Sequence, residues 1–208
     1  MIQAPIITSF YAGNVQYFSK FAHYPSLTTD VYQHYEKQTY RNRCRIATAN
    51  GSMDLIIPVL KSNGNKTLDK DIKILNNGWQ KLHWGALESA YRHSPFFMYY
   101  EDDIRPFYKD EYTYLVDFNE ALTQCICELI GIQPTLKQST QYIEKGSSCD
   151  YRNCILTKKE CEDPHFKPIS YYQVFADKFG FIPNLSILDL LFNMGNESIL
   201  ILQKSYLP

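Results

Sequence analysis

Residues 43–59, RCRIATANGSMDLIIPV, decide the fold class of the N-terminal half of this chain. Two runs with strand-like composition flank the dipeptide Asn50-Gly51. An Asn-Gly pair between such runs favours a tight primed turn, because both central residues of that turn need a positive φ. The stretch therefore predicts a β-hairpin with Asn50 and Gly51 at its tip.

Outward from the hairpin, the sequence pattern predicts short strands early in the chain and helices later. Further strands are expected at residues 6–9, 28–32, 72–75 and 135–140. Helices are expected at residues 17–24, 79–93, 112–130 and 170–179, and between Ser186 and Gly195. The polar stretches 61–66 and 144–167 are expected to be loops. This order predicts an α/β or α+β fold, with residues 1–208 forming one domain.

Bulk composition limits the classes of function. The chain has 208 residues and a formal net charge of -1, which argues against a generally basic nucleic-acid-binding protein. It has no run of the roughly eighteen apolar residues that a membrane span needs. The first residues lack the charged and apolar regions of a secretion signal, so a cytoplasmic location is expected. The 17 tyrosines suit sugar-binding surfaces, polar cores and protein interfaces alike.

The six cysteines do not match the spacing of a zinc site or of CxxC pairs. In a reducing compartment they are expected to be thiols. Cys125 and Cys127 lie in an apolar helical pattern and are expected to pack as small hydrophobic side chains. Cys149, Cys154 and Cys161 are close enough in sequence to leave a metal site as the weaker alternative.

Polar and cationic side chains are concentrated at residues 34–46. This segment holds His34, Lys37, Arg41, Arg43 and Arg45. On a strand, arginines two residues apart share one face, where they repel one another unless anions lie nearby. Two explanations stay open: the guanidinium groups face a hollow and hold a phosphate or carboxylate ligand, or they pair with the chain's own acids. The nearby His34 and Lys37 favour the ligand.

Two other features allow both a structural and a functional interpretation. His83 follows Trp79 by four residues and lies on the same helical face, where a histidine is more often a core residue than a catalytic one. Three consecutive acids, at residues 101–103, follow two tyrosines. They fit a solvated helix start better than a metal site or an arginine partner.

Several motifs together resemble those of the WbqC-like family. They are HYEKQTYRNR at 34–43, LIIPV at 55–59, HW at 83–84, AY at 90–91, SPFF at 94–97 and PNLSILDLLFN at 183–193. The resemblance implies a role in bacterial cell-surface polysaccharide and O-antigen biosynthesis, and it favours functional roles for Arg41, Asn42, Arg43 and His83. Longer members carry an extra glycine-containing segment where this chain has residues 144–167. A substrate contact from that segment is therefore expected to be missing or replaced.

The first strand and turn of longer members also resemble the nucleotide-binding fold of nucleotidyltransferases. In this chain residues 6–14, IITSFYAGN, would form that strand and turn, but the paired histidines that such enzymes use are absent. A nucleotidyltransferase-like core is therefore an expectation about fold and carries no reaction with it.

The hypothesis from the residues and the resemblance together is an enzyme, a transferase or ligase, that acts on a sugar or sugar nucleotide. In it His34 and His83 are the catalytic candidates, because either could move a proton. The substrate-binding candidates are Lys37, Tyr40, Arg41, Asn42, Arg43, Tyr91 and Asn184. No metal ligands and no nucleic-acid partner are expected, and the motifs identify no cofactor. The alternative is a non-catalytic binding or scaffold protein of a polysaccharide assembly pathway.

Overall fold

The computed structural model describes residues 4–60, 66–144, 146, 149–157 and 163–208. Its strands are β1 (Ile6–Ile7), β2 (Ser26–Thr29), β3 (Arg43–Thr48), β4 (Gly51–Ile56) and β5 (Thr135–Gln138). Its helices are α1 (Val15–His23), α2 (Trp79–Tyr91), α3 (Phe97–Ile104), α4 (Leu115–Ile130), α5 (Ala176–Phe179), α6 (Ile187–Met194) and α7 (Ser198–Ser205). The predicted α/β class is confirmed.

A parallel sheet of three strands, in the order β1-β2-β5, organises the molecule. Ile6 and Ile7 pair with Thr28 and Thr29, and all four residues of β2 pair with β5. Because β1 and β2 are parallel neighbours, α1 is the crossover helix of a β-α-β unit. The chain segment at Asp150 adds one further parallel bridge, to Ile6. The three strands therefore share one carboxyl edge.

The predicted hairpin is confirmed, but its turn differs from the prediction. β3 and β4 pair antiparallel from Arg43 opposite Ile56 to Thr48 opposite Gly51. Gly51 has a φ of +103°, whereas Asn50 is not among the non-glycine residues with positive φ. A single left-handed glycine after the turn is the pattern of a longer hairpin loop, not of a primed Asn-Gly turn.

Helix α1 begins and ends where the sequence provides the signals. The Asn14 side chain accepts a hydrogen bond from the Tyr17 amide at the first turn, and the helix ends at His23, two residues before Pro25. Lys20, in its last turn, is fully buried and pairs with Asp163 at 2.8 Å. This ion pair fastens the second half of the predicted loop 144–167 to the helix.

Helix α4 carries the apolar stripe that its sequence predicts. Phe118, Leu122 and Ile126 are each 0% exposed, and Gly131 takes a left-handed conformation at the end of the helix. Cys127 is buried in the same cluster and Cys125 packs against it, which confirms their prediction as small hydrophobic side chains. No helix among the described residues is long and apolar enough to span a bilayer.

Other elements differ from the sequence prediction. Residues 72–75 make two isolated bridges, Val59 with Ile74 and Lys73 with Tyr114, and not a strand. Only Ala176–Phe179 of the predicted helix at 170–179 is helical, because Tyr171 and Gln173 instead reach a buried carboxylate on α6. The predicted loop at 61–66 lies outside the described residues except for Lys66, and Cys161 also lies outside them.

Candidate functional site

The carboxyl edge of the parallel sheet gathers the polar side chains that follow its strands. Thr8 and Ser9 follow β1, Asp30 follows β2 and Ser139 follows β5. The backbone continues the pairing there, since Asp30 donates to the Ile7 carbonyl at 3.0 Å and Ser139 to the Thr29 carbonyl at 2.9 Å. In open α/β sheets, ligands bind outside the carboxyl ends of the strands. This edge is therefore the first place to look for a site.

A buried ion-pair cluster occupies the first part of the edge. The Arg152 guanidinium donates to Asp30 at 2.5 Å and to both oxygens of Asp150 at 2.6 and 2.8 Å. The Arg152 side chain is 1% exposed and the Asp30 side chain 0%. Ser139 donates its hydroxyl hydrogen to Asp30 at 3.1 Å. The ion pair brings the segment around Arg152 over the end of β2.

A second ion pair, between Arg41 and Asp69, lies beside the first. Arg41 Nε donates to Asp69 Oδ2 at 2.8 Å, and both side chains are less than a tenth exposed. Burial raises the pKa of the Asp69 carboxyl to about 6, although the Arg41 charge opposes that shift. The Asn119 amide fixes the Arg41 backbone by donating to its carbonyl oxygen at 2.8 Å.

Gln33 joins the two clusters. Its Nε2 donates to the Thr8 hydroxyl at 3.2 Å and to the Asp30 carbonyl at 3.1 Å. Its Oε1 accepts from Arg41 at 3.4 Å, and its backbone carbonyl accepts from the Asp69 amide at 2.9 Å. The side chains at the ends of β1 and β2 therefore form one hydrogen-bonded network with the Arg41–Asp69 pair.

A cleft of about 500 Å³ opens beside Gln33. Its lining residues are Tyr32, Gln33, His34, Glu36, Tyr142 and Asn153. His34 and Glu36 are exposed, whereas Gln33 is half-buried in the network below. The lining therefore offers two aromatic rings, two amides, a carboxylate and an imidazole around one hollow. We call it the edge cleft.

The arginines of the basic segment find their counter-charges within the chain. Arg43 pairs with Asp54 at 3.1 Å and Arg45 pairs with the same carboxylate at 2.8 Å, across the β3–β4 hairpin. Arg41 pairs with Asp69. Of the two explanations left open by the sequence, internal ion pairing is thus confirmed for all three, and the guanidinium groups do not form one row facing a hollow.

The other candidate residues of this segment either make contacts within the chain or are exposed on its surface. Asn42 is buried and donates to the Ile57 carbonyl at 2.8 Å, which ties the end of β4 to the start of β3. Tyr40 is half-buried and its ring packs against Phe10, with the centroids 5.6 Å apart. Lys37 is exposed in the turn between His34 and Arg41. Of residues 34–46, only His34 and Glu36 line the edge cleft.

His83 lies in the core, away from this edge. Its Nδ1 is 2.9 Å from the Tyr11 hydroxyl, which in turn lies 3.0 Å from the Tyr108 hydroxyl. The imidazole also stacks on the Tyr11 ring. Burial lowers the pKa of His83 to about 4, so the ring is neutral at physiological pH. These contacts are those of a satisfied core histidine.

Tyr91 and Asn184 also have structural partners. The Tyr91 hydroxyl accepts from the Ala47 amide at 3.1 Å and donates to the Asp189 carboxylate at 2.8 Å. Asn184 has a φ of +56°, and its Oδ1 accepts from the amide of Gln16 in the first turn of α1 at 2.9 Å. The Tyr91 side chain therefore links α2 to β3 and α6. The Asn184 side chain links the turn before α6 to α1.

Sequence reasoning missed most of the residues that form the edge. Asp30 was not recognised because it fell inside the predicted strand at 28–32. In the structure β2 ends at Thr29, one residue before Asp30. A polar residue at the end of a buried parallel strand was the signal that could have found it. Gln33 and Arg152 lie in irregular segments, and Asp69 begins the short 3-10 helix Asp69–Asp71. The sequence shows no comparable signal at any of the three.

Two further features of the described residues bear on the site. Among the described residues no group of three or more His, Cys, Asp or Glu side chains could hold a metal ion. A second hollow, of about 360 Å³, lies between the end of α4 and the start of β5 and includes Cys127, Pro134 and Leu136 in its lining. It lies at the opposite end of β5 from Ser139, so it is separate from the edge cleft.

Comparison with known proteins gives a family and one relative of unassigned activity. The model of the WbqC-like protein family matches residues 11–163. The uncharacterized protein Rv1507c of Mycobacterium tuberculosis is 28% identical over 188 residues, covering 79% of this chain and 81% of the relative. No solved structure matches the chain. The expected nucleotidyltransferase-like core therefore stays a prediction.

Proposed function

The chain belongs to the WbqC-like protein family, and from this premise we propose that it is an enzyme of bacterial surface polysaccharide (O-antigen) biosynthesis. In this proposal it acts in the cytoplasm on a sugar or sugar nucleotide bound in the edge cleft. The family resemblance suggests the pathway. The observation that supports the edge cleft as the binding site is its position at the common carboxyl edge of three parallel strands.

The chemistry of the lining suits a sugar. Tyr32 and Tyr142 offer flat apolar faces with hydroxyl groups, which can pack against a pyranose ring and bind its hydroxyls. Gln33 and Asn153 offer amide donors and acceptors. Asn153 comes from the segment 144–167, so this segment supplies a contact where longer family members carry their extra strand and turn.

His34 is the catalytic candidate that this proposal keeps. Its side chain is exposed and lines the cleft with Glu36, so either group is placed to accept a proton from a hydroxyl of a sugar bound there. Lys37, exposed three residues later, is suited to a phosphate of a sugar nucleotide. His83 supports the core in this scheme, and Arg41 positions Gln33 through their hydrogen bond.

Calorimetric titration with a panel of nucleotide sugars tests the proposal. We expect His34→Ala to weaken binding of the ligand found by roughly tenfold, the effect of losing about one hydrogen bond. His93→Ala, which removes an exposed histidine at the end of α2, is the matched control. Unchanged affinity in His34→Ala, with both variants equally stable to urea, would count against the cleft as the binding site.

A non-catalytic binding protein is the second candidate function. The internal partners of Arg41, Asn42 and Arg43 favour it, because residues of the family motif that satisfy one another stabilise a scaffold without needing substrate. Mass spectrometry of a bound nucleotide sugar after long incubation separates the two candidates. An enzyme returns a ligand of altered mass in the presence of the correct acceptor, and a binding protein returns the ligand unchanged.

A further inference from the structure

The second hollow, between the end of α4 and the start of β5, is large enough for a small molecule. Its volume is about 360 Å³, and sites for small ligands have volumes of about 300–1,000 Å³. Leu136 of β5 lines it, and three steps of extended chain, about 10 Å, separate that residue from Ser139 at the carboxyl edge. An occupant of this hollow is therefore distinct from a sugar bound in the edge cleft.

The floor of the second hollow is apolar. Phe21, Cys127 and Ile132 line it and are 3%, 4% and 9% exposed, respectively. Pro134 and Leu136 add further apolar surface. Burial raises the pKa of the Cys127 thiol to about 12, so this side chain is uncharged at neutral pH. A flat apolar group can pack on this floor, and its removal from water favours binding.

The rim of the second hollow carries a negative charge. Glu128 is the one charged side chain among the described residues that line the hollow, and it is exposed. Its Oε1 accepts a hydrogen bond at 3.3 Å from the amide of Gln124, which is a neutral group. The carboxylate therefore has no counter-charge within the lining.

The position of Glu128 on α4 adds to this negative potential. It lies in the last turn of a helix of 16 residues, where the aligned peptide dipoles leave a partial negative charge. Helix ends of this kind favour lysine, arginine or histidine, but the last turn of α4 contains no basic residue. A carboxylate and the negative end of a helix thus adjoin one hollow, and a cation placed there would interact favourably with both.

We infer that the second hollow binds a small molecule that joins an apolar ring to an ammonium group. The ring packs on the floor beside Phe21 and Ile132, and the ammonium group lies next to Glu128 at the rim. A carboxylate or phosphate in the place of the ammonium group would be repelled by Glu128 and by the end of α4. This site is separate from the edge cleft, so the inference does not depend on the proposed function.

NMR titration of the ¹⁵N-labelled full chain at neutral pH and low ionic strength tests this inference. The probes are tryptamine, tryptophol and indole-3-acetate, which carry an ammonium, a hydroxyl or a carboxylate group on the same ring system. We expect tryptamine to bind roughly fivefold more tightly than tryptophol, the effect of about one exposed ion pair at a helix end, and indole-3-acetate to bind most weakly. The amide signals of Ile132 and Leu136 should shift, and those of Gln33 and His34 in the edge cleft should not. Added sodium chloride should reduce the advantage of tryptamine over tryptophol.

Glu128→Gln removes the charge and keeps the shape of the side chain. The variant stays folded, because the substitution takes a negative charge away from the negative end of a helix. We expect it to bind tryptamine and tryptophol with affinities within about twofold of each other, since the ion pair is lost. Glu111→Gln, at an exposed position outside the lining, is the matched control and should keep the preference of the wild type.

Two results would overturn the inference. Equal binding of the three probes, or a preference for tryptamine that persists in Glu128→Gln, would show that the rim does not select a cation. Absence of shifts at Ile132 and Leu136 with every probe would show that the hollow does not bind this class of molecule. Neither result bears on sugar binding in the edge cleft, which the His34→Ala titration tests separately.

Discussion

Removing the Arg152 side chain should destabilise the protein strongly. Its guanidinium donates to Asp30 at 2.5 Å, to Asp150 at 2.6 and 2.8 Å, and to the Ile143 carbonyl at 2.7 Å. Arg152→Ala leaves Asp30, which is 0% exposed, without its counter-charge. Breaking a buried ion pair on one side costs about 3–5 kcal/mol. We expect a loss of about 3 kcal/mol, near the lower bound, because Asp30 keeps hydrogen bonds from the Ser139 hydroxyl and the Tyr32 amide.

Urea denaturation at neutral pH measures this loss as a difference in the free energy of unfolding, provided that the m-value is unchanged. Arg45→Ala is the matched control, since Arg45 is 45% exposed and Asp54 keeps Arg43 as a partner. An exposed pair of this kind is worth about 0–1 kcal/mol. If Arg152→Ala costs no more than Arg45→Ala, the buried cluster does not hold the carboxyl edge together and the reasoning fails.

Three further substitutions test other parts of the structure. Burial raises the pKa of the Asp189 carboxyl to about 6, above its unfolded value near 4 (the Asp range). Its stabilising contribution is therefore complete below about pH 4 and is lost as pH rises through about 6, so wild type should lose up to about 3 kcal/mol relative to Asp189→Asn over that range. A difference between the urea midpoints of the two proteins that stays constant with pH would contradict this. Gly85→Ala, at an exposed helical position with open space for a Cβ, should raise the free energy of unfolding by about 0.5–1 kcal/mol. Gly195→Ala should instead lower the free energy of unfolding by about 1–3 kcal/mol, because the φ of Gly195 is +55° and the new Cβ would lie 2.7 Å from the Phe96 ring. Calorimetric melting should show shifts of opposite sign in the melting temperatures of the two glycine variants.

The sequence predicted the elements that carry a strong local signal. The β3–β4 hairpin, α1, α2, α4 and the Ser186-capped α6 all begin or end close to the predicted residues. Each depends on contacts between near neighbours, such as a cap or an apolar stripe. The region 170–179 failed because Tyr171 and Gln173 serve the distant Asp189 and not a helix of their own. Helix α7 was missed since its first turn continues directly from a short 3-10 turn at Gly195–Glu197.

The candidate site was predictable only in part. His34 and Arg41 come from the polar segment that the sequence singled out, and both lie at or next to the carboxyl edge. Tyr91 and Asn184 came from matching family motifs, and the structure gives both of them hydrogen bonds that hold helices together. Membership in a family motif did not distinguish residues at the carboxyl edge from residues whose hydrogen bonds hold helices together. Both a core hydrogen bond and a substrate contact require a polar side chain, so the two give the same residue types in the sequence.

By itself, the sequence determined the kind of fold, the hairpin, the main helices and the family. These follow from hydrophobic periodicity and turn chemistry, which act over a few residues. Only the tertiary structure decided that Arg41 meets Asp69, 28 positions away, and that Arg152 meets Asp30, 122 positions away. Ion pairing depends on distance in space, and a one-dimensional pattern of charges does not contain that distance. The same folding that neutralised the arginines left three buried oxygens, of Ser9, Asp69 and Asn119, without a hydrogen-bond partner in the described chain.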